Sequence, residues 1–181
     1  MLQNVFMALS TINDYLSIFI TWAFVVPFLY NYACTINCRN KHVMFISLVM
    51  MLSYTFSLIM FKASLTLTDS IYLDLVIADL LTILTLVYFS YSYAHANATA
   101  YYYLVFGLTF NAILHMAMHY DYVVLVTYDY WWLWGVYGVG QFSSDLIMAI
   151  VLIINKDILG LVKIKKFLLS SQLLQKTTQN M

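Results

Sequence analysis

Of the 181 residues, 64% are apolar and 9% are charged, against roughly 25% charged and about half apolar in an ordinary soluble domain. So few polar groups cannot cover the surface of a water-soluble fold. Five spans of about 20 residues would use most of the chain and leave no separate catalytic domain. Net charge is zero, but every acid is Asp, none is Glu, and six of the eight basic residues fall in two places, so their placement informs more than their sum.

The expected fold is therefore all-α: a polytopic transmembrane helix bundle, followed by an amphipathic helix at the membrane surface. No Lys or Arg precedes Arg39, and Asp14 stands close to the first apolar run. The basic start of a cleavable signal peptide is missing, so the first hydrophobic segment is expected to stay in the mature protein. That span covers residues 11–33 with Pro27 inside it, where a kink is expected rather than a break, since neighbouring helices re-satisfy the backbone. Cys34 and Cys38 follow in the first polar loop. Two cysteines are too few for a zinc site or a disulfide framework, and they read as reduced thiols beside the membrane.

A second span covers 43–61 and stops at Lys62, and a Ser- and Thr-rich loop leads to a third over 71–92. A fourth covers 100–120, with an end at 126 as the alternative, and a fifth covers 131–154. Arg39, Lys41 and His42 in the first loop, and Lys156, Lys163, Lys165 and Lys166 after the last span, place both on the cytoplasmic side of a plasma or inner membrane, with the N-terminus outside. Tyrosines and tryptophans gather at the span ends as interfacial girdles, Tyr101 to Tyr103 among them on the inner side. The tail, 156–181, alternates lysines with Ile158, Leu159, Val162, Phe167 and Leu168, a pattern that lies in anionic headgroups with Lys163, Lys165 and Lys166 toward lipid.

Ionisable groups inside a span are costly and face a partner, a cavity or water. Asp74 and Asp79 in the third span stand about 140° apart around the helix, too far to act as one carboxylate pair. Asp74 sits near the surface, and Asp79 is roughly 12 Å in from the start of its helix. In the fourth span Gly107, Asn111, His115 and His119 recur every fourth residue as one polar stripe. His115 comes to about the level of Asp79 in the antiparallel neighbour, so a hydrogen bond or ion pair between them is expected, as a proton-linked contact or a simple interhelical clamp. Asp145 is near mid-membrane in the fifth span, on a stripe with Gly138, Gln141 and Ala149 and with no cation nearby. It needs water, or a hydrogen bond from a Tyr or Thr.

His115 and His119 are one turn apart but lack a third ligand and the glutamate of a His-Glu-x-x-His site, so no metal or cofactor is expected. No nucleophile with a base appears and no basic motif suits nucleic acid, so neither catalysis nor nucleic-acid binding is expected. Two functions remain. One is an oligomeric ion- or proton-conducting channel or effector built on Asp79, His115 and Asp145; the other is an anchor, immunity or regulatory subunit docked on another membrane protein through the Gly138, Gln141 and Asp145 face.

Overall fold

The computed structural model describes residues 2–36, 41–63, 65–92, 99–126 and 131–163, with side chains from Tyr15 onward except that of Ser92. Five α-helices follow one another: α1 (Leu2–Ile36), α2 (Lys41–Lys62), α3 (Ile71–Ser92), α4 (Thr99–His119) and α5 (Trp132–Ile154), with a π-helical turn at Tyr120–Val124. No strand occurs among the described residues. The helices alternate in direction and form a closed ring in which each packs on its two neighbours, α5 returning to α1. Ring pairs such as Phe45 with Phe89, Ser53 with Thr82, and Tyr72 with Tyr122 fix the antiparallel register. The ring has a loop face, carrying the α2–α3 and α4–α5 connections, and a tail face, where the residues after α5 emerge.

Among the described residues four stretches are long and apolar enough to cross a membrane: Tyr15–Ile36, Lys41–Lys62, Ile71–Tyr91 and Trp132–Ile154. The chain is thus a multi-pass membrane helical bundle. Helix α1 begins well before residue 11 and runs through Pro27 as one helix. Helix α4 has the length of the others, but Asn111, His115 and its tyrosines lower its apolar content. Its inner face mixes polar and apolar groups: Gly107, Asn111 and His115 are buried beside Leu104, Leu108 and Met118, while Phe106, Phe110, Ile113 and Met116 face outward. The helical chain continues past His119 to Val124 as the π turn, and two residues beyond it Val126 takes a left-handed conformation (φ 52°) that β-branched residues rarely adopt. The fourth helical segment therefore runs nearer to 126 than to 120.

Inside an apolar solvent every backbone and hydroxyl group must find its partner within the protein. Thr21, Thr35, Thr82, Thr85 and Thr109 accordingly turn their hydroxyls back onto the carbonyl four residues earlier, at 2.7–2.9 Å. Below the middle of the ring, toward the tail face, the core is apolar. Phe24, Ile46, Met50, Leu86, Leu104, Leu108, Met148, Val151 and Leu152 close it with 0–1% exposure. Gly107 lets α4 and α5 approach, since a Cβ there would lie 2.4 Å from the Met148 sulfur.

Candidate functional site: a buried polar network at mid-bundle

Four helices each contribute a polar group to the centre of the ring. Asp145 of α5, 2% exposed, accepts a hydrogen bond on Oδ1 from the Tyr54 hydroxyl of α2 at 2.5 Å and another from the Asn111 amide of α4 at 2.7 Å. A carboxyl that has lost water needs such donors. The tyrosine partner is the alternative to water that the sequence allowed, and here it is Tyr54. Beside it, His115 Nε2 of α4 lies 3.7 Å from Asp79 Oδ2 of α3, an ion-pair distance longer than a hydrogen bond. The other ring nitrogen, Nδ1, is 3.1 Å from the Tyr137 hydroxyl of α5. Asp79 and Asp145 are close enough to interact electrostatically. Among the described residues no Lys or Arg contacts them.

Not every atom of this network is satisfied. Asn111 is 1% exposed, yet its Oδ1 has no hydrogen-bond partner, and neither does Asp79 Oδ2. One turn outward on α4, His119 Nδ1 is also without one. All three lie on the loop-face side of the apolar layer. Above His115 the network is roofed by rings: Tyr137 meets His115 edge-on at 5.5 Å, and Tyr72 touches both Tyr137 and Tyr122 at about 6 Å.

The other candidates fall elsewhere. Asp74 is not part of the network, because it caps the entry to α3, accepting from the Leu67 amide at 2.9 Å and the Thr68 hydroxyl at 2.7 Å. Gln141 is half-buried, and Gly138 faces outward with nothing within 4 Å of a Cβ placed there. The expected common face of Gly138, Gln141 and Asp145 is therefore divided: toward the loop face α5 meets α4 through Tyr137, Gly140 and Ser144, and Asp145 turns inward. Lys163 is described and exposed, whereas Lys165, Lys166, Cys38 and His95 lie outside the described residues. Cys34 is half-buried near the end of α1. Among the described residues no group of three His, Cys, Asp or Glu side chains is placed to hold a metal.

Two clusters had no counterpart in the sequence reading. At the tail face Tyr103 is buried, not part of a lipid-facing girdle; its hydroxyl donates to Asp157 Oδ1 at 2.6 Å and accepts from the Leu159 amide. Asp157 also takes the Val162 and Lys163 amides at 3.4 and 3.1 Å, as a cap for the start of the tail. The Tyr103 hydroxyl, first among these contacts, holds the Asp157 carboxyl below its ordinary range. Asn155, in the left-handed conformation that ends α5, accepts from the Ala100 amide at 3.1 Å, and Asn31 of α1 reaches the Leu152 carbonyl at 2.9 Å. At the loop face Asp121 is not a solvated loop acid but 2% exposed, accepting from the Trp131 indole at 3.1 Å. The signal available in the sequence was Tyr54, a phenol well inside an apolar helix whose hydroxyl needs a partner. The chain matches no protein-family model, and searches of curated proteins and of solved structures return no match.

Proposed function

We propose that this multi-pass membrane protein is a proton-conducting effector whose charge-carrying groups are Asp79, His115 and Asp145, with α4 as a fifth span and assembly into a homo-oligomer. The observation that carries this reading is the placement of two interacting carboxyls and an imidazole at the centre of a lipid-facing ring, with no Lys or Arg among the described residues that contact them. Carboxyl and imidazole groups exchange protons readily, and a purely structural clamp would be served by neutral amides. The outward apolar stripe of α4 supports its crossing the bilayer alongside α3 and α5.

The test is proton flux into liposomes holding a pH dye, driven by a potassium diffusion potential. Wild type is expected to dissipate the gradient at least tenfold faster than empty vesicles, Asp145→Asn and Asp79→Asn to lose most of that gain, and Asp74→Asn to keep it. Wild-type vesicles no leakier than empty ones, or an Asp145→Asn variant as fast as wild type, would end this reading.

A second reading, a subunit docked on another membrane protein, is favoured by the open space over Gly135 and Gly138 on α5, which leaves room for a partner helix. Asp145 takes its hydrogen bonds from its own chain and is not part of that face. Gly138→Leu would then abolish co-purification of the partner while leaving proton flux at the vesicle background.

A further inference from the structure

The unpartnered atoms of the network are distributed on one side only. Starting from the loop face, the α4 stripe presents His119 Nδ1, then His115, then Asn111 Oδ1, over roughly 12 Å of helix. Asp79 Oδ2 joins it from α3, and Tyr137 adds its hydroxyl from α5. A buried polar atom without a protein partner is ordinarily met by water. Toward the tail face the next layer is apolar, with Leu104, Leu108, Met50, Met148 and Leu152 at 0–1% exposure. The Gly107–Met148 approach draws α4 and α5 together in that layer.

We propose that in this closed state protons reach Asp79 and Asp145 from the loop face alone, through Tyr137 and His115, and that the apolar layer below is the barrier that opens toward the tail face during conduction. The inference rests on the proton-conducting reading and adds the side of entry and the place of closure. The step balances at the imidazole. A proton donated by the Tyr137 hydroxyl to Nδ1 makes the ring cationic, and hydronium from the loop face reprotonates the phenolate oxygen and leaves water. The proton on Nε2 then passes to Asp79 Oδ2 as the 3.7 Å gap shortens to a hydrogen bond, which leaves a neutral carboxylic acid and a neutral ring in the other tautomer that must revert before the next proton. Asn111 cannot relay a proton through its amide, so its unpartnered oxygen holds the water that links Asp79 to the Asp145 side.

The groups facing this route come from every helix that borders it: Tyr54 from α2, Tyr72 and Asp79 from α3, His115 and His119 from α4, Tyr137 and Asp145 from α5. The described ionisable side chains of α1 are Tyr15, Tyr30, Tyr32 and Cys34, and none belongs to the network.

Substituted cysteines test the sidedness. In a Cys34→Ser, Cys38→Ser background, with the protein uniformly oriented in liposomes, a membrane-impermeant thiosulfonate is applied to one face at a time. His119→Cys and Asn111→Cys are expected to react at least tenfold faster from the loop face, and Leu104→Cys and Leu108→Cys from neither face. Reaction of Asn111→Cys from the tail face, or of Leu108→Cys from either, overturns the proposal. Wild-type protein supplies an independent readout should a variant fail to fold. An acid jump on the loop face is expected to raise the infrared carbonyl band of protonated Asp79, identified by its loss in Asp79→Asn, and the same jump on the tail face is not. A band that responds equally to both faces overturns the one-sided route. Flux through wild-type vesicles with two-sided access would refute this inference and spare the conducting role; one-sided access without flux would do the reverse.

Discussion

The two halves of the bundle are built from the same five helices but solve the problem of lipid burial differently. The loop-face half keeps carboxyl, imidazole, amide and phenol groups inside and leaves several of their atoms unpartnered. The tail-face half closes an apolar layer, with His42 and Ser47 of α2 the buried polar side chains beside it, and at the surface Tyr103, Asp157, Asn155 and Asn31 form a clasp with partners on neighbouring segments. A clasp with its hydrogen bonds made serves stability, whereas a network with bonds missing, sustained in lipid at a cost, marks the half where chemistry is expected.

The comparison breaks most severely if the dry half is made wet. Leu108→Asp places a carboxylate in the apolar layer with no donor in reach and should cost about 3–5 kcal/mol. In mild detergent this would show as loss of the monodisperse peak and of a cooperative melt. Next in size is Gly107→Ala, whose methyl would meet the Met148 side chain at 2.4–2.7 Å. A destabilisation of about 1–3 kcal/mol is expected, and Met148→Ala should relieve part of it, giving a positive coupling in a double-mutant cycle of thermal melts.

In the polar half, Tyr54→Phe removes one of the two donors to Asp145 and should cost about 1–3 kcal/mol. Ser53→Ala, which removes only the hydroxyl pair with Thr82, should cost about 0.6 kcal/mol. Equal costs for the two would show that Asp145 does not depend on Tyr54. The smallest effect belongs to the clasp. Because the folded Asp157 carboxyl sits below its ordinary value, its contribution is fully present above about pH 3.9 and is lost as pH falls through the folded value. Tyr103→Phe should flatten that acid dependence of the melting temperature while leaving the behaviour at pH 7 close to wild type.

The helices were legible because continuous apolar stretches and charged loops bound them. Asp79, His115, Asn111 and Asp145 could be named beforehand because ionisable or amide groups stand out against leucine and because helix rise sets their depth. Their partners could not. Tyr54 and Tyr137 belong to a residue type that also populates membrane interfaces, so composition alone did not separate a core phenol from a girdle. The inward turn of Asp145 away from Gly138 depends on which α5 residues meet α4 toward the loop face, a packing outcome that one helix's periodicity does not contain. Asp157 was hidden by the lysines around it, since a tail read as a charge pattern gives no hint that its acid caps a helix start.

The Asn155 turn and the Asp157 cap also make the first tail residues a brace. Leu159 is tied to Tyr103, Val162 and Lys163 are tied to Asp157, and Tyr103 is part of α4. The segment is therefore held twice, by the chain that continues from α5 and by hydrogen bonds to α4, so it ties the two helices that carry Asp145 and His115 to each other at the end of the bundle farthest from the loop face.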